Sequence, residues 1–418
     1  MKVLIAGGGI GGLAAALSLH QKGIACEVFE RSSEIRELGV GINTLPHAIK
    51  ELTDLGLLDE LDRVAIRTYE LIYQNRLGQE IWRDLRGLHA GFDYPQFSVH
   101  RGRLQGVLHA ATLDRVGTNR IHTAHELIGF DQDGDGVTAT FALRDGSGKT
   151  ATARGDVLIA ADGIHSIVRS RFYPEEGPPA WNGIMLWRGA TEWPPFLTGE
   201  SMVISGGMDA KLVLYPISRD TEDPDKILMN WAVGAKLGDA NSEPPRREDW
   251  SREGRLEELL PFVEDKFSLD VLDPVELIKA TGTFYEYPMC DRDPVPKWSF
   301  GRVTLLGDAA HPMYPVGSNG ASQAVLDARC LADKLHAETD IERALQAYED
   351  ERLETTAEIV RTNRSGGPER VIDMVNSRAP DGFDSLHNVA THEELEAVVK
   401  GYSNLAGFSQ EKVNQPAP

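Results

Sequence analysis

The sequence predicts an α/β protein in which a Rossmann-like nucleotide-binding part is interleaved with a second, α+β part built on an antiparallel sheet. Three observations support this prediction. The chain begins with a strand, a glycine-rich turn, a helix and a second strand; two later apolar strands end in Gly and Asp; and residues 181–273 contain short strands separated by Pro, Gly and Asp clusters. Strands that alternate with helices favour a parallel sheet, whereas the third pattern is typical of antiparallel sheets.

The first thirty residues form a βαβ unit. Val3 to Ala6 has the length and apolar character of a buried strand, and the sequence GGGIGG at positions 7–12 follows it directly. Leu13 to His20 then predicts a helix, and Cys26 to Glu30 predicts a second strand that ends in an acid. This order of elements is typical of a dinucleotide-binding unit.

The spaced glycines have separate tasks in such a unit. Gly7 permits a tight turn, Gly9 lets the backbone approach a pyrophosphate, and Gly12 lets the helix pack closely on the sheet. The phosphates would lie on free N–H groups at the positive end of the helix dipole. Glu30 would accept the ribose hydroxyls and disfavour a 2′-phosphate, so FAD or NAD fits better than NADP. A purely structural glycine turn is the alternative, but the strand, the helix and Glu30 together favour the dinucleotide site.

Composition limits the partners and the compartment. The 418-residue chain is 41% hydrophobic and 26% charged, and its net charge of −21 argues against nucleic acid or an anionic membrane as a partner. The three cysteines, Cys26, Cys290 and Cys330, show no metal-binding spacing, so we expect reduced thiols in a cytoplasmic protein. The sequence has no run of about eighteen apolar residues for a membrane span, and its apolar start is too short for a signal sequence.

Two segments before residue 110 have two explanations each. Gly39 and Gly41 indicate either a plain turn or backbone that lies close to a flat ligand, and an amphipathic helix follows from Pro46 to Leu55. Arg101 and Gln105 face the same way at the beginning of another helix. On the residues alone, a solvated pair is the simpler explanation for those two side chains.

Two later strands end in polar residues suited to ligand binding. Residues 156–161 predict a buried strand that ends at Asp162-Gly163, and residues 302–306 predict another that ends at Gly307-Asp308. Ligands of open α/β sheets bind at the carboxyl ends of the strands. We therefore expect both acids at a ligand site, with Asp308 holding a hydroxyl of a sugar chain.

The segment after Asp308 predicts a further helix that begins near Asn319, and its first N–H groups can face an electron-rich ring edge. His311 suggests a catalytic role, but a histidine before proline in a turn is more often structural. Between residues 181 and 273, each aromatic or Met residue taken singly is best explained by core packing. Taken as a sheet that covers a cofactor, these residues could also wall an apolar pocket for a flat substrate.

Three motifs together resemble the single-component FAD-dependent aromatic hydroxylases with the p-hydroxybenzoate hydroxylase fold. They are GGGIGG with Glu30, the Asp162-Gly163 segment, and the sequence GDAAHP at positions 307–312; the resemblance covers residues 1–365 in order. Several segments are similar to those of the phenazine-modifying monooxygenases in that family: residues 38–43, 94–96 with 100–102, 187–189, and 287–289 with 291–294. The general pattern is also similar to that of 3-hydroxybenzoate 6-hydroxylases.

The resemblance implies a non-covalently bound FAD and roles for particular residues. Arg101 and Gln105 become contacts to the pyrophosphate or ribityl region, in place of a solvated pair. Pro315, Gly317 and Gly41 would form the environment of the flavin ring, and no general base or metal ligand is identified. The implied cofactor-binding set is Gly7, Gly9, Gly12, Glu30, Arg31, Gly41, Ile42, Arg101, Gln105, Asp162, Asp308, Pro315, Gly317, Asn319 and Gly320.

The resemblance also implies an activity. NADH or NADPH, binding transiently, would reduce FAD, and oxygen would pass through a flavin C4a-hydroperoxide to an aromatic or heteroaromatic small molecule, with or without loss of a carboxyl group. One alternative is a flavin-dependent halogenase or another FAD oxidoreductase on the same fold, but the WxWxIP segment usual in halogenases is absent from this sequence. Another alternative is a flavin-binding protein without turnover.

Domain boundaries and pocket residues complete these expectations. The FAD-binding part would comprise residues 1–70, 97–180 and 275–365, the substrate sheet residues 71–96 and 181–274, and a surface or partner-facing extension residues 366–418. Trp187, Arg188 and Tyr215 are the candidate pocket residues, and Arg188 is either the partner of a substrate carboxylate or, more simply, half of a structural salt bridge. The protein would be a monomer or a homodimer.

Overall fold

The computed structural model describes residues 1–35, 40–239, 242–245 and 252–416. Its strands are β1 (Lys2–Ala6), β2 (Ala25–Phe29), β3 (Gly41–Thr44), β4 (Ala65–Arg67), β5 (Glu70–Gln74), β6 (Glu80–Leu85), β7 (Phe97–His100), β8 (Ile121–His122), β9 (His125–Asp133), β10 (Gly136–Leu143), β11 (Thr150–Gly155), β12 (Val157–Ala160), β13 (Ala180–Trp193), β14 (Ser201–Gly206), β15 (Ala210–Ser218), β16 (Ile227–Lys236), β17 (Phe284–Asp291), β18 (Ser299–Phe300) and β19 (Val303–Leu305).

The α-helices of the described residues are α1 (Ile10–Gln21), α2 (Pro46–Asp54), α3 (Leu58–Val64), α4 (Arg101–Arg115), α5 (Ile167–Phe172), α6 (Leu256–Leu259), α7 (Pro274–Lys279), α8 (Gly320–Ala337), α9 (Ile341–Arg364), α10 (Arg370–Arg378), α11 (His392–Leu405) and α12 (Gln410–Val413).

A six-stranded sheet forms the centre of the nucleotide-binding part. Its order is β18-β19-β12-β1-β2-β8, and every neighbouring pair is parallel except β18 with β19. The predicted βαβ unit is present as β1, α1 and β2, and α1 packs against α4 and α8. Val3, Leu4 and Ile5 are fully buried. Burial on both faces of a parallel sheet explains why β1 is a continuous apolar run and not an alternating one.

The second large sheet has seven strands in the order β17-β13-β16-β15-β14-β5-β6, and of its neighbouring pairs only β14 and β5 are parallel. A turn at residues 75–78 joins β5 to β6, which pair as an antiparallel hairpin. Strand β17, by contrast, lies in this sheet, although the sequence assigned residues 275–365 to the FAD-binding part. The reason is a long-range pairing, since β17 runs antiparallel to β13 from Gly189↔Phe284 to Ala180↔Asp291.

Two three-stranded antiparallel sheets complete the strand architecture, with orders β3-β7-β4 and β11-β10-β9. In the first, Gly41 pairs with His100, the residue before α4. This pairing brings the Gly41 backbone beside the beginning of α4, where Arg101 lies.

The C-terminal segment, residues 366–416, is docked against the rest of the chain and is not the surface arm that the sequence suggested. Val371, Ile372 and Val375 of α10 and Leu395 of α11 belong to a buried cluster with the strands β5, β6, β14 and β15. Phe408, Val413 and Tyr402 form another buried cluster near the end of the chain. Apolar residues spaced along these helices give each a face to bury, which explains the docking.

The described residues contain no helix long and apolar enough to cross a bilayer. They also contain no group of three or more His, Cys, Asp or Glu side chains that could hold a metal ion. All three cysteines are buried free thiols.

Candidate functional site

The ends of three parallel strands meet at one edge of the six-stranded sheet. Strands β19, β12 and β1 are neighbours in that order, and each is followed by a glycine-containing turn, at Gly307, Gly163 and Gly7 respectively. All three glycines have positive φ, between 61° and 112°, a conformation that side chains rarely allow. The three sequence motifs, which are far apart along the chain, therefore lie around one cleft.

The first turn has the geometry of an anion site. Gly7 has φ 112° and donates its N–H to the Phe29 carbonyl at 2.8 Å. A Cβ on Gly12 would overlap the Gly7 carbonyl oxygen, whereas a Cβ on Gly9 would meet no heavy atom within 4 Å. Gly12 is thus required by helix packing, and the space at Gly9 is open in front of the N-terminus of α1.

Glu30 and Gln105 hold the backbone of Gly8 from two sides. Glu30 accepts the Gly8 N–H at 2.7 Å on Oε2 and the Ser32 N–H at 2.8 Å on Oε1. Gln105 donates to the Gly8 carbonyl at 2.8 Å. A carboxylate offers about four lone-pair sites, so Glu30 retains capacity for ribose hydroxyls. Arg31, directly after it, is exposed.

Three charged groups approach the cleft from different elements. Arg101 begins α4 with an exposed side chain. The Asp308 side chain is exposed, but the protein atoms around its carboxyl partly desolvate it and raise its pKa, and the nearby charges of His311 and Arg101 oppose that rise. Burial likewise raises the pKa of Asp162, whose Oδ2 accepts the Ile167 N–H at 2.9 Å, while its buried Oδ1 has no hydrogen-bond partner among the described residues.

Arg169 supports the Asp308 turn from behind. Its side chain is 1% exposed, pairs with Glu176 and donates to the carbonyl oxygens of Ala310 and Asp293, each at 2.7 Å. The contact between Arg169 and this loop was not predicted from the sequence. Arg169 therefore stabilises the backbone of the loop that contains Asp308.

The turn from Pro315 to Gly320 leads into α8 and carries the backbone strain of the site. Gly317 has φ 66° and the next residue, Ser318, has φ 58°. Pro315 is exposed, Gly320 is half-buried, and Asn319 is fully buried. Positive φ at a non-glycine residue persists only where its surroundings hold it, and such residues cluster at functional sites.

Arg188 lies in a polar group on the face of the seven-stranded sheet that meets β3. It donates to the Tyr287 hydroxyl at 3.0 Å and to the Gly41 carbonyl. Burial lowers the pKa of Arg188, but the hydroxyls of Tyr287 and Tyr215 outweigh burial and the net shift is upward. Burial raises the pKa of Tyr215 to about 12, with Arg188 opposing. Arg188 therefore stays charged and Tyr215 stays protonated at neutral pH.

Gly41 is held closely by the same sheet. Its N–H donates to Asn230 Oδ1 at 2.7 Å, and a Cβ at this position would lie 2.7 Å from atoms of Tyr215 and Ile217. Close approach to the sheet therefore explains the glycine without any ligand. Ile42, next in β3, packs on the core of the nucleotide-binding part. Gly39, the other predicted glycine, lies outside the described residues.

Trp187 does not join Arg188, although the two are adjacent in sequence. Its indole N–H donates to Glu286 at 3.0 Å, and its ring stacks on Phe262 with centroids 5.4 Å apart. Successive side chains of a strand point to opposite faces, so Trp187 belongs to the core on the far side of the sheet. The same alternation places Tyr287 beside Arg188, and Asn230 and Tyr287 are the pocket residues that sequence reasoning missed.

His311 occupies a structural position. Its Nε2 lies 2.5 Å from Asp327 Oδ2, and Asp327 also accepts from Arg352 at 2.8 Å and from the Gly307 N–H at 3.1 Å. Burial would raise the pKa of Asp327, but His311 and Arg352 outweigh it and lower that pKa to about 2. His311 is 3% exposed, and its ring packs against that of Trp298 at an interplanar angle of 43°, as expected for a histidine that holds a turn.

Comparison with known proteins places this chain in a family. A family model described as an FAD binding domain matches residues 1–180 and 290–363. Phenazine 1,6-dicarboxylic acid hydroxylase from Lysobacter antibioticus is 42% identical over 364 residues, which cover 87% of this chain and 89% of that protein. The chain belongs to the FAD-dependent aromatic hydroxylases. The family resemblance and the FAD cofactor predicted from the sequence are thereby confirmed.

Two further similarities support the assignment of this chain to the family and its fold. 3-Hydroxybenzoate 6-hydroxylase 1 from Aquipseudomonas alcaligenes is 32% identical to this chain, and the match covers 85% of this chain and 86% of that protein. The crystal structure of a variant of Klebsiella pneumoniae HpxO complexed with FAD superimposes with a TM-score of 0.75 at 25% identity, covering 97% of the hydroxylase and 98% of that chain. The predicted fold and the predicted class of flavoprotein monooxygenase are confirmed, and the halogenase alternative finds no support in these relatives.

Proposed function

We propose that the hydroxylase acts on an aromatic or heteroaromatic ring that bears a carboxylate, and that Arg188 binds this carboxylate. The observation that carries the proposal is an enclosed cation without an anionic partner. Among the described residues, Arg188 has neutral partners, the Tyr287 hydroxyl and the Gly41 carbonyl, and its Nε is buried without a partner. Enclosed charges are normally paired with an opposite charge.

The names of the relatives support the same class of substrate. Phenazine dicarboxylic acid and 3-hydroxybenzoate, the substrates in the names of two relatives, are both ring acids. In this hydroxylase, Arg188 would fix the carboxylate while the hydroxyls of Tyr287 and Tyr215 and the amide of Asn230 fix the ring edge. Asn230 is fully buried and its Nδ2 has no hydrogen-bond partner among the described residues, so a second donor is ready for an acceptor on the ligand.

The cofactor roles form part of the proposal. Gly7, Gly9 and Gly12 would seat the pyrophosphate on the N-terminus of α1, and Glu30 and Arg31 would hold the adenosine end. Arg101, Gln105, Asp162 and Asp308 would bind the pyrophosphate and ribityl region. Gly41, Ile42, Pro315, Gly317, Asn319 and Gly320 would border the ring. The open space at Gly9, the unpaired Oδ1 of Asp162 and the placement of Asp308 in the cleft fit a ligand rich in phosphate and hydroxyl groups.

FAD, reduced by NADH or NADPH, supplies the oxygen activation. The residues of the chain bind and orient the ring. We assign no general base and no metal. Tyr215, whose raised pKa keeps its proton in place, acts as a hydrogen-bond donor at neutral pH.

A matched pair of ligands tests the proposal. The purified FAD-loaded enzyme is assayed with ring carboxylates and with the corresponding carboxamides, following oxidation of NADH or NADPH and product mass. Mass separates addition of one oxygen from hydroxylation with loss of carbon dioxide. Arg188→Met should lower kcat/KM for the acid by about 100-fold, because removing one partner of an enclosed charge pair costs about 2–5 kcal/mol.

The controls identify the cause of any loss. Arg219→Met removes an exposed arginine that pairs with Glu200 at the end of the same sheet and should leave kcat/KM unchanged. Loss of the same size for acid and carboxamide in Arg188→Met would show that the guanidinium does not recognise the carboxylate. A wild-type enzyme that oxidises the nicotinamide but adds no oxygen to any ring acid would contradict the substrate class.

A further inference from the structure

Tyr402, a residue of the C-terminal segment, contacts the turn between Pro315 and Asn319. This residue lies near the end of α11, a helix that begins with a capping box formed by Thr391 and Glu394. Tyr402 is 3% exposed and packs with Phe408. Its hydroxyl therefore points away from solvent, into the protein.

The Tyr402 hydroxyl connects both ends of this turn. It donates to Asn363 Oδ1 at 2.7 Å and accepts from Asn319 Nδ2 at 3.0 Å; Val316 O is farther away, at 3.4 Å. Because a hydroxyl has one proton, the short bond to Asn363 takes it and the Asn319 amide fills the acceptor position. Asn363 in turn donates to the Tyr314 carbonyl at 3.1 Å, and Asn319 donates to the Gly317 carbonyl at 3.0 Å.

Gly317 shows how closely the tyrosine approaches the turn. A Cβ on Gly317 would lie 2.6 Å from the Tyr402 ring, so a side chain is excluded there by Tyr402 as well as by the positive φ. Ser318 follows with φ 58°. Glycine adopts this conformation freely, but at Ser318 it costs free energy, and the contacts around the turn must hold that residue in place.

The turn also borders a cavity. This cavity of about 600 Å³ lies between the seven-stranded sheet and the C-terminal segment, and Gly317, Ser318 and Tyr402 are among its lining residues. Close packing normally fixes a buried turn, and here part of that packing is replaced by space. Two sets of contacts hold the turn on this side. They are the hydrogen bonds of Tyr402 and the contact between the Gly317 N–H and Glu369 Oε1, which lie 3.5 Å apart.

We propose that Tyr402 is a positioning residue that holds this turn against the flavin ring, and thereby sets how much of the consumed oxygen reaches the substrate. The inference rests on the proposed placement of Pro315 to Gly320 along the ring. In the coupled reaction, NAD(P)H, a proton, oxygen and the ring acid give NAD(P)⁺, water and the hydroxylated ring. In the uncoupled reaction, NAD(P)H, a proton and oxygen give NAD(P)⁺ and hydrogen peroxide. A turn displaced from the ring admits water and favours the second reaction.

The test is Tyr402→Phe, which removes the hydroxyl and keeps the ring. The matched control is Tyr348→Phe, since Tyr348 is fully buried and its hydroxyl donates to the Leu305 carbonyl at 3.1 Å, away from the turn. Peroxide released per NAD(P)H oxidised should rise about threefold or more in Tyr402→Phe, because small displacements of reacting groups cost large factors in rate. KM for the ring acid should change little, and the control should match the wild type in the peroxide ratio.

A second readout requires no substrate. The visible circular dichroism of bound FAD reports the surroundings of the ring, and we expect it to change in Tyr402→Phe and to stay unchanged in Tyr348→Phe. Equal peroxide ratios and equal flavin spectra in the two variants would overturn the inference, whatever their stabilities. Failure of the proposed function is distinguishable, because the wild-type enzyme would then form no hydroxylated ring acid while the flavin spectra still decide the role of Tyr402.

Discussion

Alanine at Gly12 and at Gly9 should separate helix packing from ligand contact in the glycine turn. At Gly12 a Cβ would overlap the Gly7 carbonyl oxygen and lie 3.1 Å from the Gly7 carbonyl carbon, so α1 must move away from the turn. The obstacle is backbone, which cannot rotate aside, and overpacking of this kind costs about 1–3 kcal/mol or more. We expect Gly12→Ala to lower the free energy of unfolding of the apoprotein by about 3 kcal/mol, at the upper end of that range.

Gly9→Ala should show the opposite profile. No heavy atom lies within 4 Å of a Cβ at this position, and the backbone, with φ −76° and ψ −177°, is accessible to alanine. The free energy of unfolding of the apoprotein should therefore change by less than about 1 kcal/mol. The proposed pyrophosphate would approach the same space, so the affinity for FAD should fall by about tenfold or more, which corresponds to ~1.4 kcal/mol.

Two measurements decide between these profiles. Urea unfolding of the two apoproteins, followed by far-ultraviolet circular dichroism, gives the change in stability, and titration with FAD, followed by flavin fluorescence, gives the change in affinity. If the Gly9→Ala apoprotein loses as much stability as Gly12→Ala, the space at Gly9 is not free. If it binds FAD as tightly as the wild type, the pyrophosphate lies elsewhere and our assignment of Gly9 is wrong.

Three further predictions concern ionisable side chains. Asp308→Ala should retain less FAD on gel filtration, because the carboxylate that reaches the cleft is lost; unchanged flavin content would remove Asp308 from the site. Asp327→Asn should lower the free energy of unfolding by about 3–5 kcal/mol, since His311 and Arg352 lose their shared anion, and denaturant unfolding would show it. Burial lowers the pKa of His47 from 6.5 to about 3; the unfolded chain thus binds the proton first, and stability should fall as pH drops from 6.5 toward 3, with a shallower slope in His47→Gln.

Much of the nucleotide-binding part is predictable from the sequence because its signals are local. The order strand, glycine turn, helix and acid occurs within thirty residues, and each glycine task follows from backbone geometry that only a few neighbouring residues define. Asp308 was assigned from its place at the end of a strand, whereas Arg101 was assigned only by resemblance, because its residue type and spacing fit a solvated pair at least as well. The helix from Pro46 was also predictable, since Ala48, Ile49 and Leu52 are fully buried on one face.

Pocket prediction was less successful because strand register and sheet order decide it. Trp187 and Arg188 are adjacent in sequence, and from the sequence they are equally plausible pocket residues. Only the pairing of β13 with β16 and β17 shows which of the two side chains faces the cleft. The C-terminal segment was misjudged for a similar reason. Its glycine and proline breaks indicate an extension, while its burial depends on a sheet face formed by strands more than 150 residues earlier.

Residues close together along the chain set turns, caps and strand ends, and they were therefore enough to predict a nucleotide-binding site on glycine turns at the ends of parallel strands. The structure was needed to show that Arg188 has no carboxylate partner among the described residues, that the approach of the sheet requires Gly41, and that Tyr402 contacts the turn at Gly317. Each of these depends on a contact between residues distant in sequence, and such contacts exist only once the two sheets and the C-terminal helices have packed together.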